Sequence, residues 1–404
     1  MHARAVLLVS LLLTAVPAVH AFDVVLNAEN EYLDAYLVDG KPFPRKVVFI
    51  DPDPPFPDDP HSPPPRVGRH VNGKLCFFPK GFGHDGDFVM ADDAYREACL
   101  DRHPPQARCS ITRRHDRLFL GKDPDGWAVF RRNGKWKKQH IHAEWNLIEP
   151  QPQGVIDPQG CAFDAQGRFF GNDVGSGEPL AHDGSLLVFF PGRKNRYDTY
   201  CFLDKALAAP GMPVMDALGN IYLAETGALR STLTVFSPPF PTSAADCANP
   251  DHLVTTPPTK TRILLKEMPI VTPAGIIRFP STGHFWIGSV LIPPVVNEYD
   301  ASGTFVRNIV PENVPRNPLG MDVGSDGTLY YAELNLDPMT TDTRCGSVAQ
   351  VRFDASGQPL APETLGTDLA FPDGVSVFDS SRFKVDFTRL PAAPHFDPST
   401  CGGE

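Results

Sequence analysis

The chain has 404 residues, of which 42% are hydrophobic, so it can bury a sizeable core and is not a wholly disordered protein. Its formal net charge of −11 argues against nucleic acid as its main partner. Beyond the N-terminal residues no stretch of about 18 apolar residues occurs, so we expect no membrane anchor.

The N-terminal 21 residues are typical of a cleavable secretory signal. Arg4 precedes a short apolar stretch (residues 5–16), and Val19 and Ala21 stand at the −3 and −1 positions of a cleavage site after Ala21. We therefore expect a secreted or periplasmic protein whose mature chain, residues 22–404, forms one domain. In such an oxidising compartment the eight cysteines are expected to be disulfide partners.

Two apolar runs near the N-terminus, residues 22–27 (FDVVLN) and 46–51 (KVVFID), predict β-strands. The segment at residues 51–66 (DPDPPFPDDPHSPPPR) contains so much proline that it cannot join a β-ladder. We predict that this segment is a surface excursion of the domain.

Six similar phrases recur along the rest of the chain. Most contain a glycine, a strand of about four residues, a turn that often holds Asp and Gly, and a second apolar strand, which predicts a β-hairpin. A third strand often follows, as at residues 185–190 (SLLVFF). Such repeats are typical of blades, so the sequence predicts an all-β, six-bladed β-propeller. The glycines that begin the predicted inner strands are Gly86, Gly160, Gly211, Gly275, Gly320 and Gly374.

The sixth repeat contains only two strands before the chain ends. An incomplete blade would leave an unpaired sheet edge, which folded proteins avoid. We therefore predict that the N-terminal strands complete the last blade and close the ring.

The phrases FPDGVSVFD, GCAFDAQGRFF and EYDASGTFVRNIV resemble six-bladed propellers of the gluconolactonase, regucalcin and diisopropyl-fluorophosphatase group, which has strictosidine synthases as relatives. The resemblance covers most of residues 81–387. It implies a calcium ion in the central tunnel, bound by a Glu near the N-terminus and by Asn or Asp residues just before the inner-strand glycines. Calcium takes six to eight oxygen ligands and can polarise a lactone carbonyl or a phosphoryl oxygen.

The residues before the predicted glycines test that implication. Pro210 and Ala274 offer no side-chain oxygen, so the full calcium cage of the family is not expected. On a closed ring, Asp373, Asp85 and Gln159 would be neighbours. The six residues, in chain order, are Asp85, Gln159, Pro210, Ala274, Leu319 and Asp373.

These positions predict a tunnel mouth with one acidic side and one apolar side. The apolar side is formed by Pro210, Ala274 and Leu319. Such a pocket suits a small molecule with an apolar body and one polar group. Glu29 and Glu31 would lie beside the acidic side. The candidate metal ligands are Asp85, Asp373, Glu29 and Glu31. Asp85 and Asp373 have a second interpretation, since Asp before Gly is also common in turns.

Four further residues in the predicted loops or at the ends of predicted strands are candidates for function or for structure. His84 precedes Asp85 and could act as a general base or a metal ligand. Asn172 closes a second strand, where it would line the mouth or cap a turn. By resemblance, Glu225 and Glu333 at the ends of second strands make structural hydrogen bonds.

The stretch QHIHAEWN offers an alternative metal site. On a strand, His140, His142 and Glu144 share one face and could bind zinc. The other face is apolar, and an ordinary half-buried outer strand has the same pattern.

Three functions follow from these observations. The first is an exported small-molecule hydrolase or lactonase of the gluconolactonase-like group, with a reduced or altered central metal site. The second is a metal-independent propeller enzyme, as in strictosidine synthase or a lyase. The third is a non-catalytic propeller that binds a ligand or a protein. The cofactor is accordingly calcium, zinc or none, and the acidic arc favours an enzyme.

Overall fold

The structure is a computed structural model that describes residues 23–29, 32–38, 46–50, 70–82, 88–93, 126–131, 140–146, 155, 157–192, 197, 199–311, 317–335, 346–369 and 372–379. Strands dominate these residues, which contain no α-helix and two short 3-10 helices, Thr226–Ala228 and Ala244–Cys247. No helix among them is long and apolar enough to cross a bilayer.

The strands follow one another in short antiparallel hairpins. The first seven are β1 (Asp23–Glu29), β2 (Tyr32–Val38), β3 (Lys46–Ile50), β4 (His70–Phe77), β5 (Phe88–Asp93), β6 (Gly126–Arg131) and β7 (His140–Asn146). The next eight are β8 (Pro158–Phe163), β9 (Phe169–Asp173), β10 (Gly184–Phe190), β11 (Thr199–Leu207), β12 (Val214–Met215), β13 (Ile221–Ala224), β14 (Thr232–Ser237) and β15 (Thr259–Leu264). The last nine are β16 (Pro273–Arg278), β17 (Phe285–Ser289), β18 (Val295–Tyr299), β19 (Phe305–Val310), β20 (Pro318–Val323), β21 (Leu329–Glu333), β22 (Gly346–Val351), β23 (Glu363–Leu369) and β24 (Gly374–Asp379).

Four sheets contain four strands each, in the orders β8-β9-β10-β11, β12-β13-β14-β15, β16-β17-β18-β19 and β20-β21-β22-β23. A fifth sheet has eight strands in the order β24-β1-β2-β3-β7-β6-β5-β4. It consists of two antiparallel runs, β24-β1-β2-β3 and β7-β6-β5-β4, joined by a parallel pairing of β3 and β7 over two residue pairs. The N-terminal strand β1 pairs with the C-terminal strand β24, as the sequence predicts.

The sheets are arranged around a central axis. The strands β4, β8, β12, β16, β20 and β24 contact one another in this order, and β24 contacts β4. These strands are the innermost strands of a β-propeller, and the space that they enclose is the central tunnel.

A glycine near the start of each innermost strand makes this close approach possible. At Gly211, an added Cβ would lie 2.5 Å from the carbonyl oxygen of Ala274, on the next innermost strand. A similar relation holds around the ring, because each of these glycines abuts the backbone of the next innermost strand or, at Gly160, of the residue Met212 just before it. The ring glycines are Gly73, Gly160, Gly211, Gly275, Gly320 and Gly374.

The first ring glycine differs from the sequence prediction. Gly86 was predicted to begin the first inner strand, but the innermost strand of that run is β4, and Gly86 lies outside the described residues. The ring position belongs to Gly73, which follows Asn72. A β-bulge shifts the register of β4 between Asn72 and Cys76, which disrupts the alternation that identifies strands in a sequence.

The Asp and Gly residues of the repeated sequence phrase stabilise the hairpin turns. In four of them, Oδ1 of an Asp accepts the backbone N–H groups two and four residues later at 2.8–2.9 Å. The glycine three residues after each Asp has a φ of 76–84°, a conformation that favours glycine. The four are Asp164 with Gly167, Asp216 with Gly219, Asp300 with Gly303 and Asp354 with Gly357.

We expect Asp216→Asn to lower the free energy of unfolding by about 1 kcal/mol at neutral pH. Burial alone would raise the pKa of this carboxyl, but hydrogen bonds from Asn220, Tyr222 and Leu218 together hold the pKa below its usual value. A pKa lowered by folding gives stability that is present above the unfolded pKa of about 4 and is lost as pH falls through the folded pKa. Urea unfolding should therefore separate variant from wild type at neutral pH and bring them together at strongly acidic pH. An equal difference at both pH values would contradict this account.

The core fills the spaces between adjacent sheets. Neighbouring residues on one strand belong to different clusters, because strand side chains alternate in direction. Phe169 packs with Trp127 and Phe189 on one side of its sheet, while Phe170 packs with Phe236 on the other. Continuous apolar runs such as FF and YY therefore indicate strands that are covered on both faces.

Two disulfides lie in the described part of the chain. Cys76–Cys161 joins the innermost strands β4 and β8, and Cys201–Cys247 joins β11 to the second 3-10 helix. All four cysteines of this part are therefore paired. Structural disulfides are typical of proteins in an oxidising compartment, which agrees with an extracellular environment.

Candidate functional site at the tunnel mouth

The innermost strands have one edge that pairs with a second strand and one edge that faces the central axis. The N–H groups on the axis-facing edge need other partners. Three polar side chains supply them: Asp373 Oδ2 accepts Gly73 N, Ser376 Oγ accepts Leu75 N, and Asp322 Oδ2 accepts Val377 N, each at 2.9 Å. These bonds join β20, β24 and β4 along the tunnel.

The residues that precede the ring glycines lie at one end of the tunnel, which we call the tunnel mouth. Asp373 and Gln159 meet there on the two sides of Gly73. The Asp373 side chain binds the Gly73 amide, and the Gln159 backbone lies against Gly73. The structure thus brings Asp373 and Gln159 together, as the sequence predicts. The six residues are Asn72, Gln159, Pro210, Ala274, Leu319 and Asp373.

The other side of the mouth is apolar. Ala274 and Leu319 are buried in one cluster with Val290 and Leu334, and Leu291 packs against it. This cluster is next to the ring glycine of β16, since Gly275 lies against the backbone of Leu319. The mouth positions of β16 and β20 are therefore apolar and buried, on the half of the ring away from Asn72 and Gln159.

Asn172 and Pro210 form a structural link between the β8–β11 sheet and the β12–β15 sheet. The fully buried Asn172 donates from Nδ2 to the Pro210 carbonyl oxygen at 2.7 Å. Pro210 itself is buried, and its backbone forms an isolated antiparallel β-bridge with that of Glu225. The amide of Asn172 thus holds the loop that precedes the ring glycine Gly211.

Carboxylates at the ends of second strands bind hydroxyl and backbone groups. Glu225 accepts from Thr234 Oγ1 and, at 3.3 Å, from Ala208 N. Glu333 accepts from Ser347 Oγ. Both carboxylates are about 95% buried. The structural role that the sequence predicts for Glu225 and Glu333 is confirmed.

A second group of titratable side chains lies at the opposite end of the propeller, near the β16–β17 turn. Glu298 Oε1 lies 2.7 Å from His284 Nδ1, and its Oε2 accepts from Arg307 Nε at 2.6 Å. Burial would raise the pKa of Glu298, but the bonds from His284 and Arg307 together hold it below the usual value. Glu298 therefore stays ionised at neutral pH and ties three strands together.

Several predicted site residues lie outside the described residues or on outer strands. His84, Asp85 and Glu31 lie outside the described residues, so their roles stay predictions. Glu29 ends β1, and since Ala28 pairs with Gly374, its backbone lies at the mouth end of the sheet. The proposed zinc ligands, His140, His142 and Glu144, are on β7, three strands away from the innermost strand β4. Zinc binding there stays a prediction.

The described residues do not fit the calcium cage that the resemblance implies. Three of the six mouth positions, Pro210, Ala274 and Leu319, have no side-chain oxygen, whereas calcium takes six to eight oxygen ligands. In the part of the chain that the structure describes, no three His, Cys, Asp or Glu residues are grouped so that they could hold a metal ion.

Sequence reasoning did not find the polar residues of β4 and β20. Asn72 occupies the pre-glycine position of β4, and the Asn-Gly pair in HVNGKLCF was the available signal. Lys74 and Asp322 form an ion pair between these two strands. No local signal marks that pair, because it depends on the closed ring.

The chain is similar to known proteins in its structure and not in its sequence. No family model and no curated protein sequence matches the chain. The chain is similar in fold to a proposed 6-phosphogluconolactonase from Bacteroides fragilis (9% identity, 90% of this chain, 99% of that chain, TM-score 0.50). Weaker similarities include a protein of unknown function from Bacteroides caccae (10%, 88%, 98%, 0.46) and a luciferin-regenerating enzyme (12%, 88%, 95%, 0.44). The similarity to the Bacteroides fragilis structure supports the β-propeller fold.

Proposed function

We propose that the propeller has six blades and that the eight-stranded sheet is two blades joined at their outer edges. Six ring glycines and the cyclic contacts of six innermost strands support this count. The two runs of that sheet are joined by only two residue pairs, whereas strands within each run pair along their length. The last blade would then be β24 completed by β1, β2 and β3.

We infer that the protein is an exported enzyme of the gluconolactonase-like group that hydrolyses a lactone or a similar ester at the tunnel mouth, without the full calcium cage. The observation that carries this proposal is the position of Asp373. Its buried carboxylate is held by the Gly73 amide, beside Gln159 and at the same mouth as the apolar side chains of Ala274 and Leu319. The lactonase name of the Bacteroides fragilis structure agrees with this class. Export by residues 1–21 agrees with the two disulfides.

In this reaction water adds to the lactone carbonyl carbon, the ring carbon–oxygen bond breaks, and a hydroxy acid leaves. Asp373 acts as the general base that accepts the proton of the attacking water, and that proton ends on the departing alkoxide. The bond from Gly73 N to Oδ2 fixes the orientation of the carboxylate. The apolar side binds the body of the substrate.

Asp373→Asn is expected to lower kcat/KM for δ-decalactone hydrolysis by about a hundredfold or more, since an amide cannot act as the base. Assays run with added calcium and with a chelator would show whether a metal contributes. The matched control is Asp354→Asn, which changes an exposed turn carboxylate away from the tunnel. The proposal fails if the wild type hydrolyses no lactone or ester, or if D373N is as active as the control.

A non-catalytic binding function has one observation in its favour. Asp373, Ser376 and Asp322 all bind backbone amides along the tunnel, which is what a purely structural lining would do. Binding of δ-decalactone without turnover would favour this second function.

A further inference from the structure

A lysine and an aspartate form an ion pair inside the ring of innermost strands. Lys74 Nζ on β4 lies 3.1 Å from Asp322 Oδ1 on β20. In the ring, β24 lies between these two strands, and Asp322 Oδ2 also accepts Val377 N of β24 at 2.9 Å. The pair therefore crosses β24 on its axis-facing edge, so the Lys74 ammonium group lies at the tunnel.

Water reaches this ion pair, since the side chains of Lys74 and Asp322 are 28% and 21% exposed. The carboxylate of Asp322 is shared among three donors, namely Lys74, Val377 N and Val323 N. An ammonium group has three N–H donors, and among the described residues its partner is Asp322. Lys74 can therefore bind a further acceptor without leaving Asp322.

In the sequence, Lys74 is next to the residue that holds the candidate base. It follows Gly73, whose amide binds the Asp373 carboxylate and whose other side contacts Gln159. The ammonium group itself lies deeper in the tunnel than Asp373, because its partner Asp322 binds Val377 N, four residues further along the chain.

We propose that the Lys74 ammonium group binds the anionic oxygen of a ligand in the central tunnel. The ligand class is a hydroxycarboxylate with an apolar body, the product of lactone opening. This inference rests on the proposed function for the identity of that ligand.

The test is calorimetric binding of 5-hydroxydecanoate to the wild type and to variants. Lys74→Met should weaken binding by about tenfold to a hundredfold, as expected for loss of one hydrogen bond to a charged group. Lys74→Arg keeps the charge and should bind within about threefold of the wild type. Lys80→Met removes an exposed lysine of the turn after β4 and should have no effect. The uncharged analogue 1,5-decanediol should bind equally to the wild type and to K74M.

Asp322→Asn separates this role from a structural one. Both K74M and D322N break the ion pair, so a purely structural pair predicts that both weaken binding alike. The proposal predicts opposite effects, because D322N removes the negative charge that competes with the ligand for the Lys74 ammonium group and so tightens binding. If K74M does not fold in a thermal unfolding assay, the comparison of D322N with the wild type decides the question in its place.

The outcomes distinguish this inference from the proposed function. Absence of 5-hydroxydecanoate binding, equal binding to K74M and K80M, or weaker binding to D322N overturns the inference. If lactones are not hydrolysed but Lys74-dependent binding occurs, the proposed function fails and the inference stands. If lactones are hydrolysed and binding does not depend on Lys74, the inference alone fails.

Discussion

Gly374→Ala is expected to lower the free energy of unfolding by about 3 kcal/mol, at the upper end of overpacking effects. A Cβ at this position would fall on the backbone of Gly73, on the neighbouring innermost strand β4. A side chain could rotate away from such a contact, but a backbone carbonyl inside a sheet cannot. The strands β24 and β4 would have to separate, at the point where the C-terminal strand meets the first innermost strand of the ring. Urea unfolding followed by circular dichroism measures the loss.

Gly357→Ala is the control for that measurement. Gly357 has a φ of 79° and no atom within 4 Å of an added Cβ, so alanine there costs only backbone strain of about 1–2 kcal/mol. A clearly larger loss in G374A than in G357A is therefore expected. Equal losses would mean that the contact between β24 and β4 is not as close as the structure has it. That result would argue against a closed ring of innermost strands.

Much of the fold could be predicted because its signals are local. The hairpin of β8 and β9 follows from two apolar strands around the Asp164–Gly167 turn, whose hydrogen bonds involve residues at most four apart. The pairing of β1 with β24 followed from a different argument, the need to cover an open edge. The strand β2 between the two predicted N-terminal strands was not predicted.

The site was harder to predict, because it depends on which strand is innermost. The neighbourhood of Asp373 and Gln159 was predicted from ring order alone, and the structure places both against Gly73. The choice of Asp85 for the position between them was not supported by the strand order, since β4 is innermost and Asn72 precedes its glycine. The bulge in β4 concealed that strand. A contact such as Lys74 with Asp322 requires the closed ring before it can be seen.

Replacement of both Cys76 and Cys161 by alanine is expected to lower the free energy of unfolding by about 4 kcal/mol. This disulfide closes a loop with a sequence separation of 85 residues, and the entropy that such a cross-link removes from the unfolded chain amounts to about 4.5 kcal/mol. The C201A/C247A variant is a matched comparison, because its separation of 46 residues predicts a loss about 0.5 kcal/mol smaller. Urea unfolding under non-reducing conditions measures both. A loss below about 1 kcal/mol in C76A/C161A would contradict the chain-entropy account.

The two disulfides differ in their distance from the tunnel, which extends the prediction to function. Cys76 holds β4 against β8, and these strands carry Lys74 and Gln159 respectively. Cys201–Cys247 instead fixes the outer strand β11 to a surface 3-10 helix. At a temperature where both variants remain folded, C76A/C161A should therefore lose affinity for 5-hydroxydecanoate, because a shift of β4 moves the ammonium group away from its ligand. C201A/C247A should bind as the wild type does. Equal binding by both variants would show that the noncovalent contacts of the innermost strands suffice to position Lys74.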